Sequence, residues 1–451
     1  VARIDLMELW ADLAAGWGKA RAEDAALDRV VALPPTELTR FDEVWRRSFE
    51  PPEPPSHLRS ALADGARSLD KDGYRRERAV RDLASNPDPR ADVFLLLRAY
   101  DWVPPVAQVA RATLLDRLRT RPFDAARWAP VSVARRRRPG GAEWLAALVS
   151  VAGDTAGTWL AHPDGPTRRW AAVNLPASPD RLAEWVDTVR DEIVGGLLTH
   201  RWLAAEPGRA RALLRHPLAL VRYESWNAVD RTTVTADDLR AGLLDRSARV
   251  RWVAGYVARR VGFDGEALYA TLPDGTEPER RRRLVLLDEW GSDQALPLAR
   301  ALLDAPDVAT RTRAIAVFAR RADAASLAPR LLTTSGPERR AVSRALLHHG
   351  HRVDDRTLEQ LCSSDAEGRG IAYRLQHARG PWDALLAALR ALASDDEDLR
   401  RRGNVGYQDW VRTVGVWIPA PPPELADRVR AAATTAGVDG RFLAFVLRSS
   451  G

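Results

Sequence analysis

Residues 235–261 read TADDLRAGLLDRSARVRWVAGYVARRV, and the reading of this stretch decides the fold. Thr235 followed by Asp237 and Asp238 opens a helix, because an oxygen-bearing cap and first-turn acids satisfy its free N–H groups and its dipole. Leu239, Leu243 and Leu244 give that helix one apolar stripe, and Asp245-Arg246-Ser247 ends it. In the second half Val250, Val253, Ala254, Val257 and Val261 fall on one helical face. The stretch is a helix hairpin with one side to bury.

The same grammar returns on both sides. An Arg in the second helix is followed three positions later by a small or apolar residue and four beyond that by another. The sets are Arg76/Ala79/Leu83, Arg168/Ala171/Leu175, Arg222/Ser225/Val229, Arg251/Ala254/Ala258, Arg311/Ala314/Phe318 and Arg339/Val342/Leu346, with looser copies from Arg281 and Arg369. From Arg222 onward the steps are 29, 30, 30, 28 and 30 residues, a period that marks a stacked array. The expected fold is therefore all-α, a solenoid of about ten HEAT-like hairpins in a curved superhelix. The small residue lets neighbouring helix axes approach. The Arg is expected to meet an acid at an inter-helix turn, within or between repeats, as Asp70 stands six before Arg76 and Asp245 six before Arg251.

Residues 72–84, DGYRRERAVRDLA, and 94–119, FLLLRAYDWVPPVAQVARATLLDRLR, resemble bacterial HEAT-repeat proteins that carry an Asp-Trp-Val-Pro turn, here Asp101-Trp102-Val103-Pro104. The resemblance implies a helical scaffold and brings no activity. Pro104 suits the first turn of a helix, where its missing N–H is not needed. Trp102 and Val103 are placed to staple that turn to the helix below. The Arg slot of this repeat holds Ala107, so Asp101 has no partner six residues on.

Composition supports the same class. Leu, Ala and Arg dominate, and hydrophobic residues make up 45% of the chain, enough for an ordinary core. Of 68 basic residues only Lys19 and Lys71 are lysines; the net charge of +7 over 451 residues is mild for a dedicated nucleic-acid binder. The single Cys362 rules out an intrachain disulfide and fits a reducing compartment. Asp5, Glu8, Trp10 and Asp12 are unlike a secretory leader, and no apolar run nears the roughly 20 residues of a membrane span. A cytoplasmic location without membrane insertion is expected.

Along the chain, residues 1–47 read as an N-terminal helical segment and 48–57 as a Pro-rich linker. Repeats run over 58–418, and 419–451 form a Pro-rich break with a capping hairpin. The pattern is weakest at 120–160, where Arg135, Arg136, Arg137 and Arg138 with Pro139-Gly140-Gly141 read as a basic, flexible loop.

Motifs for chemistry are sparse. Neither lysine sits in a phosphate-binding Gly-Lys-Ser/Thr, and HExxH, GxSxG and a dinucleotide fingerprint are absent. His348, His349 and His351 with Asp354, Asp355 and Cys362 could be metal ligands, but Gly350 makes a helix C-terminus the simpler reading, so neither metal nor cofactor is expected. Trp226 and Asp230, at i and i+4, resemble the aromatic–carboxylate pair of HEAT-like alkylpurine DNA glycosylases, which implies base excision as an enzymatic alternative. The next repeat sets Arg249, Arg251 and Trp252 near that pair, and basic clusters with Trp recur at Arg135–Arg138 before Trp144, at Arg168-Arg169-Trp170, at Arg280–Arg283 and at Arg400–Arg402, a composition that could hold phosphates and stack bases, although Asp395-Asp396-Glu397-Asp398 stands just before the last. The leading expectation is a non-enzymatic scaffold binding a protein or peptide on its concave face, with nucleic acid as the alternative partner. The residues expected at that surface are Trp102, Arg135–Arg138, Arg168, Arg169, Trp170, Trp226, Arg251 and Trp252.

Overall fold

A computed structural model describes residues 17–47, 54–121, 124–413 and 419–438. Asp5, Glu8, Trp10 and Asp12, Pro51 and Pro52 of the expected linker, and 439–451 of the expected capping hairpin lie outside these residues. Among the described residues every regular element is helical, and the chain is an all-α solenoid. They fall into two compact units: those up to Asp238 with Ser247–Val253, and Leu239–Arg246 with those from Ala254 onward.

Twelve first-and-second-helix pairs follow one another from Ala61 to Thr413, more than the expected ten. The extra ones lack the α-helical apolar period in their first helix, which is a 3-10 helix at Gly153–Ala161 and at Pro207–Leu213. One whole pair, Pro179–Thr188 with Glu192–Ala205, also lacks the Arg. Its slot is Gly195, where a Cβ would stand 2.8 Å from the Leu218 side chain. A side chain there would have to displace the Leu218, Val221 and Val189 side chains packed against it.

Second helices begin on side-chain caps: Asp72 accepts from the Tyr74 N–H, Asp164 from Thr167, Asp307 from Thr310 and Asp365 from Gly368. The Arg of the repeat stands four residues after each of these caps. The small and apolar slots that follow it are buried, including Ala79, Leu83, Ala171, Leu175, Ala314 and Leu346. Val261, read as part of the 235–261 face, lies just past the helix end and is half exposed.

Where the bonds of this Arg are described it does one job, and of the two expected pairings, within or between repeats, the carboxylate comes from between them. In the first unit Arg76 donates Nη1 to the backbone carbonyls of Asp70 and Lys71, while Nε and Nη2 reach both oxygens of Asp101 at 3.0 Å. Arg168 donates to the carbonyls of His162 and Pro163 and pairs with Asp191 at 2.7 Å. In the second unit Arg311 holds the carbonyls of Ala305 and Pro306 and pairs with Glu338 at 2.7 Å. Arg281 pairs with Asp307, and Arg339 with Asp365, each at 2.8 Å. The six-residue spacing therefore marks a carbonyl, and the carboxylate comes from the next repeat. Asp101 has partners after all: Arg76 below it and Arg98 beside it.

The first unit also carries the N-terminal helices, Ala20–Val31 and Pro35–Arg47. Asp42 of the latter is buried and pairs with Arg98 and, at 3.0 Å, with Arg135. Arg90 adds exposed pairs to Asp24 and Asp28. Burial pushes the Asp101 carboxyl up, but Arg98, the Val103 N–H and Arg76 outweigh it and hold the group below the usual carboxylate range.

Candidate functional site

In the first unit successive second helices mostly pack directly. Gly73–Ser85 packs on Pro104–Thr120, which packs on Gly141–Ala152; Gly165–Asn174 packs on Glu192–Ala205, which packs on Ala219–Ala228. Between Gly141–Ala152 and Gly165–Asn174 the stack opens, and Gly165–Asn174 rests instead on Asp124–Arg135 and on the Gly153–Ala161 turn. The opening is a groove of about 1020 Å³, with one wall in the region 120–160 where the repeat grammar fails and the other beyond it.

Its floor is apolar: Leu145, Ala146 and Val149 from one side, Val173 from the other, Leu197 from Glu192–Ala205. Arg136, Arg169 and Trp170 join the lining with the polar Ser150 and Asn174, and no acid takes part among the described residues. Both arginines are exposed, and each is held by a carbonyl rather than a carboxylate: Arg136 donates to Val133 O at 2.7 Å, Arg169 to Gly165 O at 3.3 Å. Trp170 is fixed against the buried Trp159, ring centroids 5.8 Å apart. Their guanidinium charge is thus available to a ligand, beside apolar surface that water covers poorly.

The expected binding residues divide. Arg136, Arg169 and Trp170 come together at the groove. Arg137 and Arg138 are exposed on the turn beside it, the latter 3.9 Å from Glu43. Arg135 is 4% exposed and tied to Asp42 and to Leu97 O, and Arg168 belongs to the inter-repeat ladder, so neither offers its charge to a partner. The 135–138 segment is accordingly a helix end and a hydrogen-bonded turn, with Gly140 at φ +67° and Gly141 against the Arg135 carbonyl. Trp252 is 65% exposed and shares a recess of about 390 Å³ with Tyr223 and Arg249 in the same unit, while Arg251 occupies the ladder slot beside it. Trp102 is 67% exposed, its ring 5.5 Å from the Arg76 guanidinium. It roofs the Arg76–Asp101 pair rather than stapling the turn inward.

The glycosylase-like pair is not built. Trp226 is 1% exposed, inside the core, and Asp230 is an exposed cap that accepts from the Thr232 N–H at 3.0 Å. A buried indole cannot stack on a base. The histidine cluster likewise serves the backbone: Gly350 ends its helix at φ +63°, Asp354 caps the next helix, and Asp355 pairs with Arg379 and Arg428. In the second unit the Arg280–Arg283 run is spent on Glu277, Asp307, the Leu244 carbonyl and Asp274. Arg401 meets Asp398.

The floor of the groove escaped the sequence reading. Its signal is the composition of 141–152, GAEWLAALVSVA, where Trp144 and Leu148 fill the core and Ala146 and Val149 are apolar on a further face. A helix with more apolar surface than its core uses has a second surface to cover.

No protein-family model and no curated protein matches the chain. Among solved structures it is similar to one described as a circular tandem repeat protein with novel repeat topology and enhanced subunit contact surfaces. That similarity has 12% identity, covers 99% of this chain and 87% of the other, and has a TM-score of 0.12. Among the described residues no helix is long and apolar enough to cross a membrane.

Proposed function

We propose that the protein is a non-enzymatic HEAT-like scaffold and that the groove between Gly141–Ala152 and Gly165–Asn174 takes an acidic, amphipathic segment of a partner protein. The observation that carries this is the lining itself: an apolar floor, one seated tryptophan and two arginines that, among the described residues, have neither a carboxylate partner nor an acid beside them in the groove. A chain segment with aliphatic or aromatic residues on one face and Asp or Glu beside them complements all of it. Arg and Trp are also the side chains that most often dominate binding energy at protein interfaces. The Arg280–Arg283 run is occupied by acids and a carbonyl, which disfavours the continuous phosphate track that nucleic acid needs.

Selection of a random peptide library on the full chain tests the reading. Enriched peptides are expected to combine acids with spaced apolar residues and to be lost on Val149→Asp. Enrichment of peptides without acids would count against it. So would duplex DNA or RNA binding with a log–log salt slope of roughly −5 to −7, which would favour the nucleic-acid alternative.

A further inference from the structure

The second unit holds a separate cavity of about 510 Å³, walled by Ala366–His377, Pro381–Leu392 and the turn that follows. Three polar groups at its wall lack what such groups normally have. Gln376 is 1% exposed, yet its Nε2 donates to nothing. Arg390 donates to the Gln376 carbonyl oxygen at 3.4 Å and has no acid at ion-pair distance among the described residues. Arg369, also in the wall, keeps a buried Nε without an acceptor, and its Asp395 pair is loose at 3.7 Å. A buried donor left unmatched is costly, so a wall holding two of them, Gln376 Nε2 and Arg369 Nε, has a partner outstanding.

We infer that this cavity binds a small organic molecule through a carboxylate, seated between the Gln376 amide and the Arg390 guanidinium. The outstanding groups are all donors, so the missing partner is an acceptor. Two arginines against Asp395 leave a single positive charge, which a monocarboxylate neutralises and a phosphate dianion would overshoot. The planar guanidinium fork also matches a carboxylate. Ala387, Ala391 and Leu399 give the rest of the ligand an apolar wall, and the volume lies within the roughly 300–1,000 Å³ of small-molecule sites.

Cys362, the only cysteine of the chain, lies in the same wall and reports occupancy. Burial pushes its thiol up, so labelling is run at alkaline pH. The thiolate then displaces iodide from iodoacetate, an acidic probe, or from iodoacetamide, its neutral counterpart, and intact mass gives both rates. The expected result is an iodoacetate-to-iodoacetamide rate ratio at least about tenfold above that of glutathione, saturating with iodoacetate concentration. Propionate should protect the thiol and inorganic phosphate at equal ionic strength should not. Arg390→Gln should return the ratio to that of glutathione, and the ratio is the readout because losing Arg390 beside the thiol alters the reactivity of Cys362 toward both reagents alike; if that variant fails to fold, the propionate competition on the unaltered chain decides. A glutathione-like ratio, or equal protection by phosphate, overturns the assignment.

Discussion

Arg76 and Asp101, 25 positions apart in sequence, meet through two parallel 3.0 Å hydrogen bonds with both side chains buried. The same Arg grips two carbonyls of its own turn, so one side chain fixes the entry of its helix and the next repeat's turn together. Removing Asp101 leaves Arg76 buried without a carboxylate and Arg98 with Asp42 alone. Asp101→Ala should therefore cost about 3–5 kcal/mol, read as lost hydrogen-exchange protection over 73–85 and 104–120. The half-exposed Arg281–Asp307 pair is the control, and Arg281→Met should cost no more than about 1 kcal/mol. Equal losses at the two sites would mean that burial does not set the strength of the ladder.

His162 and His216 stand six residues before Arg168 and Arg222, and each ring Nδ1 accepts a backbone N–H two residues on, from Asp164 at 3.0 Å and Leu218 at 3.2 Å. An accepting Nδ1 must be neutral. Burial holds both imidazoles below their ordinary 6.5, so the unfolded chain binds protons first as pH falls. Stability should be level above about pH 7 and decline as the pH drops through 6.5 toward the folded values. Asn supplies an acceptor oxygen in the same place, so the His162→Asn/His216→Asn double variant should flatten that acid limb of the melting-temperature profile. An unchanged limb would assign it to other groups.

Two helical glycines of the second unit predict opposite signs. A Cβ at Gly403 would lie 2.7 Å from the backbone N of Leu392 and 2.8 Å from the Ala388 carbonyl oxygen, neither of which can swing away. Gly403→Ala should destabilise by about 1–3 kcal/mol. At Gly370 a Cβ meets nothing within 4 Å, so Gly370→Ala should stabilise by about 0.5–1 kcal/mol. Thermal melts of the two variants moving in the same direction would contradict the packing described.

Trp226 fills core and Asp230 caps a turn, so the two substitutions should act as structural lesions of unlike size. Trp226→Ala should cost about 3–5 kcal/mol, and Asp230→Asn, which keeps a capping oxygen, should leave the melting temperature nearly unchanged. Release of an alkylated base from duplex DNA, lost in Asp230→Asn, would restore the enzymatic reading.

The architecture was legible where one residue had one job. Ala171, Ala254 and Ala314 announce close helix approach by their size, and the Arg recurs because carbonyls and an acid await it, as at Arg76, Arg168 and Arg311. Its acid was harder to assign, since spacing pointed to Asp70 and only the fold brings Asp101 to Arg76. Gly195 concealed a repeat because it stands where the marker Arg would be. Of the site, Arg136, Arg169 and Trp170 were legible as types, but sequence cannot separate Arg169, facing the groove, from Arg168, turned into the ladder. The floor was not legible, because Ala146 and Val149 look like core until the neighbouring helix is seen to stand away.

The most direct test of the scaffold reading is a charge swap at the groove, followed by fluorescence anisotropy of a selected acidic peptide. The Arg136→Glu/Arg169→Glu variant should bind that peptide at least about tenfold more weakly than the unaltered chain. It should gain affinity for the same peptide with Lys in place of its acids. Undiminished binding of the acidic peptide by the double variant would contradict the groove as the binding site.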